Sequence, residues 1–530
     1  MGQNLSCRSL TLAVAATLLV CGESARAALA ISNHPTRNVD CSDGVCASTA
    51  KKAVLNVDDL ASMLASGDTT VRTAAGASDI DVTAPLAWAS GRRLTLQADH
   101  NVNIDAPVAV EGTPGALTIA DAQAGKGDLI FHAGGKIDIW DLGGALVING
   151  LPYTLVKSIH DLAAEAKRNE DGLYALANDY DAGPDGVYSH PPVKDFGGVF
   201  EGLGHTISNF SLNGRDAGGL FRAARFSASL RDVNLADANV AVASDHVEAG
   251  ILAGGNYGLV DGVSVSGRLE GDGTGGHGLA FVGGLVGLNA GSIVRSAADA
   301  TVATANRAAA GGLVGMNPVG GTIADSHASG MVSGGTTVYA GGLAGQSYSI
   351  VRCYATGGVN VGPRSVAGGL AGLGDDIDRS FAAGTVEAGA NSSVGGLVGD
   401  GHQIADSYAL GAATGGKKSS VGGLAGAGGT ISTAYSIGAV TGETGAIEGG
   451  FIGSDDSPGD LASTYWDLDT SGVDDPARGA GDAPNDPGIT GLGDAQLKSG
   501  LPDGFDPAVW AESASTNGGY PYLLANPPAQ

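Results

Sequence analysis

Gly395-Gly-Leu-Val-Gly399, followed five residues later by Ile404-Ala-Asp-Ser-Tyr-Ala-Leu-Gly411, is the stretch on which the fold turns, because both phrases recur along the chain. The first recurs as Gly-Gly-Leu-(Ala/Val)-Gly through residues 283–426, with its leucines at Leu285, Leu313, Leu343, Leu370, Leu397 and Leu424 and with Phe451 in the next slot. Leu252 and Leu220 extend the series backwards. The second recurs as Ile-x-x-Ser-aromatic-Ala-x-Gly-x-Val, led by Ile293, Ile323, Ile350, Ile377, Ile404 and Ile431, the last five each 27 residues apart. A fixed period of that size means stacked copies of one unit, not a single enclosed core. Where Leu285, Leu313 and Leu343 drift to intervals of 28 and 30, Ile323 to Ile350 stays at 27, so the extra residues fall in loops around Pro318 and Gly334.

Each column of the repeat has a physical reading. Ser296, Ser326, Cys353, Ser380, Ser407 and Ala434 form a small column. Beside it stand Ala297, His327, Tyr354, Phe381, Tyr408 and Tyr435. Ala300, Gly330, Gly357, Gly384, Gly411 and Gly438 mark a third column. Paired strands lie about 4.8 Å apart, so aromatics in one column stack, small residues pack, and glycines turn where a Cβ would clash. Runs of four to six residues rich in Val, Ile and aromatics, broken by Gly, Ser, Thr and Asn, are strands and turns. Glycine costs about 1 kcal/mol against alanine inside a helix, which rules out helices here. The expected fold is all-β: a right-handed parallel β-helix (β-solenoid) with coils of about 27 residues, a few short helices and a loop-rich C-terminal cap.

The unit Gly-Gly-Leu-Val-Gly…Ile-x-x-Ser-Tyr-Ala-x-Gly-x-Val resembles the GLUG motif of bacterial surface and secreted proteins, and the whole chain resembles the filamentous-haemagglutinin-like exoproteins that carry it. Tyr174–Tyr180, Phe200–Ser211 and the tail phrases Tyr465-Trp-Asp, Thr470-Ser-Gly and Tyr520-Pro-Tyr-Leu-Leu fit the same family. The resemblance implies an elongated, exported solenoid, and it is silent about any ligand.

The expected organisation follows in chain order. Residues 1–27 read as a secretory signal peptide: Arg8, an apolar run from Leu10 to Cys21 too short to span a bilayer, and Ala25-Arg-Ala27 before the cut. Val20 beside Cys21 fits a lipidation box poorly. Cleavage removes Arg8, Glu23 and Arg26, moving the net charge from −27 to −28. Residues 28–55 form an N-terminal segment in which Cys41 and Cys46 are spaced for a small disulfide loop; a metal pair would lack companion ligands. Residues 56–150 are an irregular haemagglutinin-like β-helix section, opened by a short helix over Asn56–Leu64 and continued by alternating runs such as Leu94-Thr-Leu96 and Ile137-Asp-Ile139. Residues 151–217 are a junction holding a helix over Ser158–Asn169 with Ser158 as its N-cap. Residues 218–455 are the repeat solenoid, and 456–530 a cap over its last coil.

No catalytic, cofactor-binding or metal residue is expected. Gly271-Asp-Gly-Thr-Gly-Gly276 matches a dinucleotide fingerprint in letters but has no helix after it. Asp467 opens a calcium-like run whose twelfth position is Arg478 where a bidentate Glu is needed. A weaker calcium site there, or at Asp179, Asp181 and Asp185, is the one cofactor to test. His327 sits in the aromatic column as packing, and Cys353 replaces Ser in the small column. Asp325, Asp378 and Asp406 are sparse and read as a polar outer edge, since sugar cleavage needs paired carboxylates in contrasting surroundings. With 55 acids against 28 bases, nucleic acid is excluded as a partner. The expected role is non-enzymatic: an adhesin-like extracellular or cell-surface solenoid that contacts host or bacterial surface glycans, proteins or matrix and does not span the membrane. A secreted polysaccharide-active enzyme, or a passenger module of a larger secreted protein, is the alternative.

Overall fold

In each repeat the chain runs through a short strand, turns at the glycine pair, runs on along a longer strand with a corner in its middle, and returns by a third strand; Ser393–Gly395, Val398–Ala409 and Ala413–Gly415 form one such coil. The computed structural model describes residues 27–121, 127–215, 218–244, 247–273 and 279–528. The expected signal peptide, up to residue 26, and residues 274–276 of the dinucleotide-like phrase lie outside the described residues. The coils stack in register as a parallel β-solenoid of about 17 turns of roughly 27 residues. Antiparallel pairing among the described residues is confined to the disulfide hairpin, the Ala145–Ile148 turn into Leu151–Val156, a short tail hairpin and one bridge from Arg37 to Val54.

The core is the inside of the coil stack. Leu285, Leu313, Leu343, Leu370, Leu397, Leu424 and Phe451 are fully buried, as are Ile293, Ile323, Ile350, Ile377 and Ile431. Each such side chain, covered by the next coil, contributes about 1.5–3 kcal/mol. The backbone follows the same ladder: Leu370 N–H donates to Leu397 O, Leu397 to Leu424 and Leu424 to Phe451.

The glycines are demanded by close approach. A Cβ on Gly342 would lie 2.2 Å from Gly369 O of the next coil, and one on Gly384 2.0 Å from Gly357 O. Polar columns fill the corners between them. Ser380 Oγ accepts from Cys353 N and Ser407 Oγ from Ser380 N, at 3.0 and 3.2 Å. A second serine column links Ser365, Ser392 and Ser419 in the same way at 3.1 Å. Asn256, Asn289 and Asn317 form a buried amide ladder with Nδ2 to Oδ1 distances of 2.7 and 2.8 Å. Chains of this kind satisfy polar groups that the stack would otherwise strand.

The residue two after each isoleucine takes the left-handed conformation at a corner, with φ of 48° at Arg295, 50° at Asp325, 53° at Arg352, 47° at Arg379, 45° at Asp406 and 46° at Thr433. Asp tolerates that region; Arg and Thr do not favour it, so no residue preference announced the corner.

Both longer helices lie where expected. Helix α1 (Val57–Ser66) is capped by Asn56, and α2 (Ile159–Arg168) by Ser158, whose hydroxyl accepts from Asp161 N–H. Cys41 and Cys46 are bonded across a hairpin whose turn, Asp43-Gly44, has φ of 50° and 78°, the pattern of a type I′ turn. Ala28–Ser32 already pairs with Ala53–Asn56 on one side and Asp79–Val82 on the other, so the stack begins at residue 28 and takes in the expected segment 28–55.

Two apolar cores run end to end, one from Leu29 to Leu203 and one from Val156 to Ile489. The first section meets the chain beyond residue 151 where Ile137 N–H donates to Leu203 O and Ile139 N–H to Ala177 O, all four residues lying in the first core.

Candidate functional site: a polar groove along one flank

The aromatic column extends further than its sequence pattern. Thr206, Asn234, Ser264, Ala297, His327, Tyr354, Phe381, Tyr408, Tyr435 and Tyr465 are consecutive register partners on one flank. From His327 to Tyr435 the rings stack at 4.7 to 5.1 Å between centroids, within 3–6° of parallel. The expected place of His327 in this ladder is observed, and burial holds its pKa below the usual histidine range.

The tail reaches beyond the expected cap over the last coil and closes that flank as well. Residues 462–492 continue the coils through Ala462–Asp467 and Ile489–Leu492. Beyond them the chain turns back along the aromatic column as a strap. Leu497, Phe505, Trp510, Tyr520 and Leu523 form one buried cluster with Phe381, Tyr408, Tyr435 and Tyr465. Tyr435 OH donates to Pro521 O at 2.6 Å and Trp510 Nε1 donates to Asp406 Oδ1 at 3.0 Å. The far end is fixed by Asn526 Nδ2 donating to Cys353 O at 3.3 Å. Asp467 belongs to this closure: its carboxylate accepts from the amides of Asp469 and Thr470 and from Tyr520 OH.

Past His327 the flank is open. A depression of about 200 Å³ runs over Ser264, Ala297 and His327 and shares Thr206 and Asn234 with a cleft of about 410 Å³ at the junction of the two sections. That cleft shares His132 with a third hollow, about 500 Å³, reaching over Asn103, Asp81 and Arg37 on the first section. Together they make one polar groove along the solenoid.

The junction cleft stands beside a cluster of acids and bases that the sparse acids of the regular coils did not foretell. Glu201, Arg231 and Asp261 are register partners in one column. Asp128 reaches in from the first section and pairs with Arg231 at 2.5 Å and Arg295 at 2.6 Å; Arg295 also holds Asp261 at 2.7 Å. Burial pushes Glu201 up to about 7 despite the nearby Arg231. Asp232 rises well above the usual carboxylate range, first from burial and then from Glu201. Asp179, on the same cleft, moves the other way: burial would raise it, but hydrogen bonds from Lys136 and Thr206 N–H, with His205 alongside, hold it low. His205 is fully buried, its ring nitrogens facing Asp179 Oδ1 at 3.1 Å and Ile137 O at 2.8 Å. The sequence signal that could have found this cluster is the 30-residue spacing of Glu201, Arg231 and Asp261.

The aspartates considered for calcium are each engaged separately. Asp179 has the partners just given, Asp181 accepts from Gly183 N–H and Asn209, and Asp185 accepts from the Tyr180 and Tyr188 hydroxyls. Among the described residues no group of three or more His, Cys, Asp or Glu is placed to hold a metal. A separate acidic hollow of about 320 Å³ is lined by Asp375, Asp400, His402 and Asp456. His402 lies within the strand Val398–Ala409, and its ring faces Asp375 at 2.9 Å.

No family model matches the chain. It is similar to Halomucin from Haloquadratum walsbyi (strain DSM 16790 / HBSQ001), 28% identical over 285 residues, which is 50% of this chain and 3% of that protein. Among solved structures it is similar to a candidate immunoglobulin A1 protease from Bacteroides ovatus, with 16% identity, a TM-score of 0.30, and coverage of 71% of this chain and 93% of that one. Among the described residues no helix is long and apolar enough to cross a membrane.

Proposed function

We propose that this chain is a non-enzymatic, exported β-solenoid of the GLUG-motif, filamentous-haemagglutinin-like kind, displayed at or beyond the cell surface, and that it acts as an adhesin-like scaffold by holding an extended glycan in its flank groove. The carrying observation is the continuity of that groove: three hollows linked through His132, Thr206 and Asn234 run along one flank, and hydroxyls, amides and imidazoles line them together with carboxylates such as Asp81, Asp105 and Asp179 and the bases Arg37 and Lys136. A rigid stack presents such groups at a fixed rise per coil, so a regular polymer meets the same spacing repeatedly, and affinity gains from pre-organisation. The acidic charge favours neutral or cationic partners over nucleic acid and keeps a long stack of strands soluble.

The test is binding of the purified chain to a glycan array and to whole bacterial and host cells, with and without calcium. Selective glycan binding that fails when Asn234 and Thr206 are both changed to Ala supports the groove; binding unaffected by that change refutes it. One observation favours a second reading, a polysaccharide-active enzyme: Asp179 and Asp232 line one cleft in contrasting environments, the arrangement acid–base cleavage of glycosides uses. Release of reducing ends in the same wells would establish that reading and displace the adhesin.

A further inference from the structure

Charge is not spread evenly over the solenoid. Between the third strand of one coil and the first strand of the next, the chain turns a second left-handed corner. Arg307, Thr337, Arg364, Asn391 and Lys418 hold it on five successive coils, with φ of 60°, 61°, 60°, 58° and 59°. The strands that follow set these five residues in one register column, and all five are exposed. On the next coil the place is taken by Gly445, with φ of 80°. Glycine is what such a turn favours, so the turn itself does not call for cations. At the other left-handed corner each arginine is matched: Arg295 to Asp128 and Asp261, Arg352 to Asp325, and Arg379 to Asp378. Here, among the described residues, Arg307, Arg364, Lys418 and its neighbour Lys417 have no carboxylate within ion-pair distance. The corner loops 305–307, 335–337, 362–364, 389–391 and 416–418 contain no acid. The nearest strands bring in Glu387 alone, which accepts from Asn360 Nδ2 at 3.4 Å. Acids return at the two ends, Asp272 on the coil before Arg307 and Glu443 on the coil after Lys418. A chain of net charge −27 thus carries one ridge where cations prevail.

We propose that this ridge binds a linear polysaccharide carrying an acidic group on every second sugar, laid along the solenoid axis. The spacing carries the assignment. Cation and neutral polar residue alternate coil by coil, from Arg307 through Thr337, Arg364 and Asn391 to Lys418. Coils rise by about 4.8 Å, so the cations recur every ~9.6 Å. A sugar in an extended β-linked chain advances by roughly one such rise. Acids on alternate sugars therefore meet Arg307, Arg364 and Lys418 in turn, while the neutral sugars between them meet the hydroxyl of Thr337 and the amide of Asn391. Each arginine offers a planar fork of N–H donors that one acidic group accepts two at a time. A nucleic acid strand carries a phosphate at every unit and would set charge against Thr337 and Asn391. The acids elsewhere on the chain do not forbid the contact: at ~0.1 M salt their fields fade over about 10 Å, so a ligand seated on the ridge feels chiefly the ridge. The strand Ala413–Gly415 separates Lys418 from Tyr408 on the flank, and the ridge stands as a site without the groove.

The experiment is titration calorimetry at ~0.1 M salt with four probes of matched length: a hyaluronan hexamer, with a carboxylate on alternate sugars; a β-1,4-linked N-acetylglucosamine hexamer, with none; a β-1,4-linked mannuronate hexamer, with one on every sugar; and an oligothymidylate. The hyaluronan hexamer should bind about tenfold or more tighter than the neutral one, from three exposed ion pairs each worth roughly two- to fivefold. The mannuronate hexamer and the oligothymidylate should bind no more tightly than hyaluronan. Arg364→Asn should weaken hyaluronan binding by about two- to fivefold, and changing Arg307, Arg364 and Lys418 together to Asn should erase its preference over the neutral hexamer. Asn391 already occupies this corner at φ 58°, so these variants keep the turn. Asn391→Lys, which fills a neutral place with a cation, should move the preference toward mannuronate. Equal affinity for the hyaluronan and neutral hexamers, or unchanged binding in the triple variant, overturns the site. Tighter binding of mannuronate to the native chain overturns the match to alternate sugars, and tighter binding of oligothymidylate overturns the glycan in favour of nucleic acid.

Discussion

Trp510→Ala should release the C-terminal strap without melting the solenoid. Trp510 is 1% exposed and packs against Tyr408, Tyr435 and Phe505 at centroid distances of 5.9, 6.1 and 4.5 Å. Its indole N–H is bonded to Asp406. Truncating a buried aromatic of this size costs about 3–5 kcal/mol. The coils do not depend on it, because Leu397, Ile404 and their neighbours are covered by adjacent coils. The cost therefore falls on strap docking, and about 3 kcal/mol raises the open population roughly a hundredfold. Limited chymotrypsin digestion after Phe505, buried in the docked strap, reads that population when opening is fast. Trp510→Phe keeps most of the packing and loses the N–H bond, about 1 kcal/mol, so its cleavage should rise only severalfold. The thermal transition of the stack should stay in place for both. Equal cleavage rates for wild type and Trp510→Ala would refute the view that the aromatic column holds the tail.

Leu397→Asp places an unpaired carboxylate in the fully buried leucine ladder, and should lower stability by more than about 4 kcal/mol; an unshifted melting curve would contradict the stacked core. The junction should weaken as pH rises through neutrality. Glu201, whose ordinary value is 4.5, is pushed up to about 7 in the fold, so its contribution is complete below pH 4.5 and lost as pH climbs through about 7. Denaturant melts from pH 5 to 8 should show that decline, and Glu201→Gln should flatten it. Cys353 is fully buried and burial pushes its thiol up to about 12, so iodoacetamide should modify it only in denaturant. Mass spectrometry of the native chain showing alkylated Cys353 would contradict the packing of the small column.

Much of the solenoid was legible because a stack repeats its contacts. Leu397, Ile404, Ser407, Tyr408 and Gly411 each meet the same residue type one coil away, so a 27-residue period in the sequence is a column in space. The two helices were legible for a local reason: Asn56 and Ser158 satisfy nearby amides within a few residues. The left-handed corners were not, since Arg295 and Arg352 adopt that conformation under the constraint of neighbouring coils and against their own preference.

By itself the sequence determined the coil, its columns, the disulfide and the excess of acid, because each depends on short-range or strictly periodic relations. Only the tertiary structure decided what covers the columns and where charges meet. Asn526 reaches Cys353 across 173 residues and Arg295 reaches Asp128 across 167. Such meetings follow from how far the chain has wound before it returns, and neither partner carries a local mark of the other. The strap covers Tyr408 and Tyr435 yet leaves Thr206, Asn234 and Ser264 open because its apolar residues have aromatic partners only along that half of the flank.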